Sequence, residues 1–174
     1  KSPISKLPAA QPLIIKDDTL AAKDKVFQYA VKIMGGPPVK ALMEPSVSAT
    51  IWKQNVELAN QANEPGKFTA FCSYEWTSTP NNMNLHRNVF FKDCAKVPLM
   101  PFTALDSHHP VDLWNWMDAY QTSTGGQVLA IAHNGNLSNG LMFPTVEAFG
   151  KKLDADYVST RAKWERLYET TQTK

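Results

Sequence analysis

Three side chains that commonly bind metal ions lie at the ends of short apolar segments in this sequence: Glu75, His86 and His133. Strand ends in α/β proteins hold side chains rigidly and leave them open to a cleft, so ligands and metal ions collect there. Glutamate and histidine are among the side chains that bind zinc, manganese or iron. The sequence therefore predicts a divalent-metal site built from these three residues.

Each of these residues also has a structural interpretation, which the sequence leaves open. A carboxylate at the end of an apolar strand must be paired, protonated or bound to metal, and Glu75 can form an ion pair with Arg87 across a hairpin. His133 can hydrogen-bond to a loop carbonyl, and His86 taken alone is more often structural. The Asn-Gly pair at 134–135 favours ligand binding beside His133, because both residue types accept positive φ and a close backbone approach.

Two further histidines, His108 and His109, are predicted to be solvated loop residues rather than a metal pair. They lie in a loop just before Pro110, which opens a predicted helix. Adjacent side chains in an extended segment point in opposite directions, so two neighbouring histidines rarely bind one ion together.

The elements that position the candidate residues follow from hydrophobic periodicity and turn residues. The patterns predict helices from Asp17 or Asp18 to Met34, from Ser46 to Gln61, at Val111–Tyr120 and at Asp154–Arg166. They predict strands at Phe68–Glu75, Leu85–Phe91, Val128–Ala132 and Leu167–Thr173. The first two strands are expected to form a hairpin, and the later strand–helix alternation predicts parallel βαβ units. Together they predict an α/β fold with a mixed, mostly parallel sheet covered by helices on both faces.

Length and composition indicate a single globular domain or a fragment of one. The chain has 174 residues, of which 43% are hydrophobic and 20% charged, which suffices for one core. It is predicted to comprise an irregular arm at 1–16, a helical part at 17–63, and a part at 68–174 that carries the candidate ligands. The net charge of +2 and the lack of an apolar stretch of about 18 residues argue against nucleic-acid and membrane partners. Exposed strand edges leave homo-oligomer formation open.

The two cysteines are interpreted mainly as free thiols. Cys72 lies inside a predicted buried strand, where a free cysteine behaves as a small hydrophobic residue, and Cys94 follows a strand in a polar loop. A disulfide between them is left open as the less favoured outcome. Two cysteines do not define a compartment, so a periplasmic and a cytoplasmic location both remain open.

Several segments carry a family resemblance: YEWTS at 74–78, NLHRNV at 84–89, AHNGNLSNG at 132–140, DLWxWM at 112–117 and RAxWExLYExTQxK at 161–174. They resemble a large bacterial family of unknown function that belongs to the PHP (polymerase and histidinol phosphatase) superfamily of metal-dependent phosphoesterases. The resemblance covers nearly the whole chain.

This resemblance implies a portion of a distorted seven-stranded β/α barrel with two or three metal ions at the carboxyl ends of its strands. By position, it implies that Glu75 bridges two ions and that His86 and His133 are imidazole ligands. In such a centre Arg87 can orient an anionic oxygen through a bidentate contact, with a structural ion pair as the alternative. Asn134 can donate a hydrogen bond to a substrate or to a metal ligand.

The activity implied by the resemblance is hydrolysis of a small anionic ester, such as a phosphate ester, assisted by divalent zinc, manganese or iron. The opening His-x-His strand and the late Asp-x-His strand of the superfamily are absent from the predicted strands. This piece is therefore expected to hold only part of the centre and to be inactive alone. A non-catalytic binding or scaffold module of the same fold is the alternative hypothesis.

Overall fold

The computed structural model describes residue 6 and residues 8–15, 17–34, 44–170 and 172. The chain forms two units, Lys1–Gln54 and Asn55–Lys174, each with its own internal packing. The predicted division into an arm, a helical part and a strand-bearing part of one domain stays a prediction.

Helices make up the described part of the first unit. A 3₁₀ helix covers Pro8–Leu13, inside the predicted irregular arm. Helix α1 covers Leu20–Met34, and α2 covers Pro45–Ala62, starting one residue before the predicted start and continuing into the second unit. The Gly-Pro segment at 35–38, which follows the predicted end of α1, lies outside the described residues.

Helix α1 starts later than the sequence predicts. The hydroxyl oxygen of Thr19 accepts a hydrogen bond from the backbone N–H of Ala22, as an N-cap does. Asp17 instead accepts a hydrogen bond from the backbone N–H of Thr19. The predicted cap at Asp17 or Asp18 is therefore wrong, because Thr19 performs that role.

In the second unit, the described residues contain six strands and two further α-helices besides the end of α2, together with short 3₁₀ helices at Pro80–Asn82, Cys94–Lys96 and Gly135–Leu137. The strands are β1 (Cys72–Trp76), β2 (Arg87–Phe91), β3 (Val128–Ala132), β4 (Glu147–Ala148), β5 (Lys151–Lys152) and β6 (Leu167–Tyr168). The helices are α3 (Pro110–Thr124) and α4 (Ala155–Trp164). The sequence predicts each α-helix and four of the strands, whereas the antiparallel pair β4–β5 is not among its predictions.

Four strands form a mixed sheet in the order β1-β2-β3-β6. The pairs β1–β2 and β2–β3 are antiparallel, and β3–β6 is parallel. The predicted hairpin and a mixed sheet with flanking helices are therefore confirmed. The mostly parallel sheet is wrong, because the long connection between β2 and β3 can return the chain in either direction and here returns it antiparallel. Within the described ranges the strands do not close into a barrel.

One face of this sheet holds the core. Its fully buried side chains include Trp76, Val89, Phe91 and Ala130, together with Leu113, Trp114 and Met117 of α3. The other face remains partly open among the described residues, since Leu129 and Leu167 are 40% and 58% exposed. Helices therefore flank the sheet as predicted, but their coverage of this second face is incomplete in the described part of the chain.

Specific residues at the helix ends determine where the helices that pack on the sheet begin and end. Pro110 occupies the first turn of α3, where its missing N–H costs no helical hydrogen bond. Gly125 ends α3 in the left-handed region at φ 63°, a conformation that glycine adopts without steric penalty. The Asp154 carboxylate caps α4 by accepting a hydrogen bond from the backbone N–H of Tyr157.

Cys72 and Cys94 form a disulfide, with their Cα atoms 5.5 Å apart. The interpretation of Cys72 as a free buried thiol is therefore wrong. Cys72 lies opposite Phe91 in the β1–β2 register, so the turn that follows β2 brings Cys94 back to the start of β1.

No helix in the described ranges is both long and apolar enough to cross a lipid bilayer. The outer strands of the sheet are β1 and β6. Homo-oligomer formation through these edges stays a prediction.

Candidate functional site

The carboxyl ends of β1, β3 and β6 and the start of β2 lie at one edge of the sheet. The register places Trp76 beside Arg87, Arg87 beside Ala132, and Ala132 beside Tyr168. The residues adjoining this line that make up the site, here called the histidine edge, are Glu75, His86, His133, Asn134 and Glu169. The topology thus brings together three candidate ligands from separate parts of the sequence.

His86 and Glu75 form the first pair at the histidine edge. The Nδ1 atom of His86 lies 2.8 Å from Oε1 of Glu75. On the other side of the ring, Nε2 of His86 lies 3.1 Å from the hydroxyl oxygen of Thr79. The ion pair between Glu75 and Arg87, which the sequence left open, does not form, because Glu75 contacts the His86 imidazole and Arg87 pairs with Glu165.

His133 and Glu169 form the second pair. The Nδ1 atom of His133 lies 3.0 Å from Oε1 of Glu169. Oε2 of the same carboxylate accepts a hydrogen bond of 2.9 Å from the backbone N–H of Asn134. The backbone N–H of His133 donates to the carbonyl of His86 at 2.9 Å, which joins the two pairs through the main chain.

The two imidazoles lie side by side, with ring centroids 6.3 Å apart and ring planes inclined by 34°. Asn134 contacts this pair, and its Nδ2 lies 3.3 Å from Nδ1 of His86. Its backbone has φ 59°, which lies in the left-handed region that asparagine accepts more readily than most residues. Its Oδ1 is buried and has no hydrogen-bond partner among the described residues, which is unusual for a buried amide.

Arg87 forms a separate, buried network beneath this edge. Its Nε lies 2.8 Å from Oε1 of Glu165, and the two side chains are only 1% and 2% exposed. The same carboxylate accepts a 2.9 Å hydrogen bond from the indole N–H of Trp114 and lies 3.1 Å from Arg161. Burial lowers the pKa of Arg87 from its usual value, and Glu165 opposes that shift. The structural ion pair, one of the two roles left open for Arg87, is thus present with Glu165 as the partner.

His108 and His109 are both exposed, in agreement with their interpretation as loop residues. The Nδ1 atom of His108 lies 3.2 Å from the hydroxyl oxygen of Ser78, which also donates to the backbone carbonyl of His108. The ring of His109 packs on Phe149 with centroids 4.5 Å apart. These contacts are structural and involve no residue of the histidine edge.

The donor chemistry of the histidine edge fits a divalent ion, because it combines two imidazoles with two carboxylates. Two imidazoles on one tetrahedral zinc ion, with Zn–N of about 2.1 Å, place their ring centroids about 5.3 Å apart. The observed 6.3 Å between His86 and His133 is about 1 Å longer, so the two rings would have to approach each other to share one ion. Across the described residues, however, no group of three or more His, Cys, Asp or Glu side chains is arranged to hold one ion. The reason is that each imidazole faces its own carboxylate, so the edge presents two adjacent pairs.

The sequence interpretation missed the carboxylates that partner His133 and Arg87, namely Glu169 and Glu165. Glu169 directly follows β6, just as His133 follows β3, so the same strand-end argument identifies it once the last strand ends at Tyr168. Glu165 carries no comparable pattern. It follows the end of α4 and lies 78 positions from Arg87, a pairing that only the folded topology creates.

A mixed sheet flanked by helices, with histidine–carboxylate pairs at one edge, defines an α/β protein with a polar site at its strand ends. Residues 10–174 match the family described as "Protein of unknown function (DUF3604)", and the chain belongs to that family. No curated protein and no solved structure matches the chain. The resemblance to a family of unknown function is thereby confirmed, while the match contains nothing that links the family to the PHP superfamily.

Proposed function

We propose that the histidine edge binds a divalent zinc, manganese or iron ion. We further propose that the chain contributes this site to a metal-dependent hydrolase of small phosphate esters or related anionic esters. The observation that carries the proposal is the meeting of Glu75, His86 and His133 at one sheet edge. The resemblance of the sequence to PHP phosphoesterases supports the reaction class.

The residues of the edge have distinct parts in this proposal. His86 and His133 supply imidazole nitrogens, and Glu75 supplies a carboxylate whose negative charge complements a cation. If these side chains hold a divalent ion, it would supply Lewis-acid chemistry at an ester oxygen and would lower the pKa of bound water toward neutrality. Asn134 offers a buried amide that can hydrogen-bond to an anionic oxygen. Arg87 is buried beneath the histidine edge and forms an ion pair with Glu165, so we assign it a structural role and no contact with substrate.

Direct metal binding tests the site. Isothermal titration of the chain with Zn²⁺ and with Mn²⁺ is expected to show binding that His133→Ala and Glu75→Ala each weaken by at least about tenfold. The matched control is His109→Ala, which removes an exposed histidine that packs on Phe149 away from the edge. Equal affinity in wild type and both edge variants, or an equal loss in the control, contradicts the proposed site.

A non-catalytic binding or scaffold module is the second candidate. It is favoured by one observation, namely that each imidazole is already paired with a carboxylate and no three donors converge among the described residues. Hydrolysis of p-nitrophenyl phosphate by the natural full-length protein separates the two candidates. Metal-dependent turnover that Glu75→Ala abolishes supports the hydrolase, whereas metal binding without turnover supports the module.

A further inference from the structure

We infer that Glu169 is a positioning residue that fixes the proton of the neutral His133 imidazole on Nδ1. Its nitrogen on the far side of the ring, Nε2, then keeps a lone pair for a ligand. The consequence for metal binding rests on the proposed function, whereas the location of the proton does not.

Both carboxylate oxygens of Glu169 accept hydrogen bonds from neighbouring N–H groups. Its Oε2 receives the backbone N–H of Asn134 at 2.9 Å, and a backbone amide nitrogen can only donate. Its Oε1 receives the side-chain N–H of Gln172 at 3.2 Å. Both oxygens therefore act as acceptors, as they do in an ionised carboxylate.

The proton on His133 follows from this arrangement. Nδ1 lies 3.0 Å from Oε1 of Glu169, a contact that is favourable only when the nitrogen carries the hydrogen. In a neutral imidazole the other nitrogen is then an acceptor. Histidines that bind metals commonly donate their second ring N–H to a carboxylate in this way, which orients the ring and raises its basicity.

The main chain of His133 is held independently of Glu169, so the position from which its side chain starts does not depend on that carboxylate. The backbone N–H of His133 donates to the carbonyl of His86 at 2.9 Å. His133 directly follows β3, whose last residue, Ala132, pairs with Arg87 and Tyr168. Removing the carboxylate charge is therefore expected to change the proton position without displacing the strand end.

The variant Glu169→Gln tests which nitrogen of His133 carries the proton. The backbone N–H of Asn134 can only donate, whereas the Gln172 amide can rotate to present its oxygen, so the glutamine oxygen takes the position of Oε2 and the NH₂ group faces His133 and Gln172. Nδ1 must then accept, and the proton moves to Nε2. The variant thus has nearly the same shape as the wild type but the opposite tautomer.

Long-range ¹H–¹⁵N NMR of the imidazoles at about pH 9, where ordinary histidines are neutral, reads the tautomer directly. The chain has four histidines, so the His133 signals are assigned by their loss in His133→Gln. The wild type is expected to show His133 protonated on Nδ1, and Glu169→Gln is expected to show it protonated on Nε2. The control Glu147→Gln, which changes an exposed glutamate of β4, is expected to leave the tautomer unchanged.

A wild-type spectrum with the His133 proton on Nε2 overturns the inference without any variant, so a failure of Glu169→Gln to fold does not protect it. Retention of the Nδ1 proton in a folded Glu169→Gln overturns it as well. Zn²⁺ titration then tests the proton position and the proposed metal site separately. If Glu169→Gln switches the tautomer and lowers the Zn²⁺ affinity about 10- to 100-fold, both the inference and the metal site are supported. If it switches the tautomer and leaves the affinity unchanged, the inference stands and a metal ligand at His133 is contradicted.

Discussion

Two sets of charged side chains meet at the same edge of the sheet and differ mainly in burial. Arg87 and Glu165 are 1% and 2% exposed. The neighbouring pair of His86 and Glu75 is 12% and 38% exposed, and the pair formed by His133 with its glutamate is also partly open. Residues one position apart in the sequence, His86 and Arg87, therefore belong to networks in different environments.

Burial determines what each network can do. A buried ion pair has lost its hydration, so neither partner can leave without stranding a charge in the core. A partly exposed pair gains little net free energy, because water competes for both partners. The Arg87–Glu165 pair therefore holds strands and helices together, whereas the outer pair of His86 and Glu75 can exchange its carboxylate contact for a ligand at small cost.

The largest expected effect comes from breaking the buried pair. Glu165→Gln keeps the shape of the side chain but leaves the Arg87 guanidinium buried without a countercharge. The free energy of unfolding is expected to fall by about 3–5 kcal/mol. Urea denaturation followed by tryptophan fluorescence measures this loss.

The control for this variant is Asp118→Asn, which removes the partner of Lys163 from an exposed ion pair with both side chains about half accessible. It is expected to cost no more than about 1 kcal/mol. Similar losses of stability in the two variants would show that burial does not determine how much each ion pair contributes, and would contradict the distinction drawn here between buried and exposed pairs.

The disulfide offers a covalent reference at the opposite ends of β1 and β2. Replacing Cys72 and Cys94 together by alanine is expected to lower the free energy of unfolding by about 3 kcal/mol, since the link closes a loop with a sequence separation of 22. The measurement is urea denaturation under non-reducing conditions. Zn²⁺ affinity at the histidine edge is expected to stay unchanged, and a parallel loss of affinity would show that the two ends of the strands are not independent.

The sequence predicts features that depend on neighbouring residues or on the ends of strands, and it misses contacts between distant segments. The bounds of β3 are predicted correctly, because Val128–Ala132 is an apolar run between a glycine pair and His133. The meeting of Glu75 with the two histidines is also predicted, since the argument needs only strand ends. The partner of Arg87 and the disulfide are not, because both depend on how distant segments return to the sheet, which local patterns do not encode.

Tyr74 is a partly buried neutral side chain whose effect on stability depends on alkaline pH. Tyr74 donates its hydroxyl hydrogen to the carbonyl of Phe102 at 2.7 Å, and burial, with a smaller contribution from Asp106, raises its pKa above the usual value of 10.0. The unfolded chain loses this proton near pH 10 while the folded chain keeps it. The stabilisation is thus fully present below pH 10 and is lost as the pH rises from there toward the folded pKa.

Tyr74→Phe is expected to cost about 1 kcal/mol at pH 7, where it removes one hydrogen bond. Above pH 10 the wild type is expected to lose up to about 1.4 kcal/mol per pH unit through this tyrosine, a contribution that the variant lacks. The difference between the two proteins should therefore shrink as the pH rises. Urea denaturation at pH 7, 10 and 11 measures it, and a constant difference contradicts the raised pKa.

The smallest expected effect is the most informative about the histidine edge. Glu75→Gln removes the charge from the partly exposed pair with His86 and is expected to change the free energy of unfolding by less than about 1 kcal/mol. The change should decrease further in 1 M NaCl, whereas the loss caused by Glu165→Gln should persist, because salt screens buried pairs much less. Urea denaturation at low and high salt compares the two. If Glu75→Gln cost as much as Glu165→Gln, the outer pair would be holding the fold together, and there would be no physical reason to expect it to release its carboxylate to a metal ion.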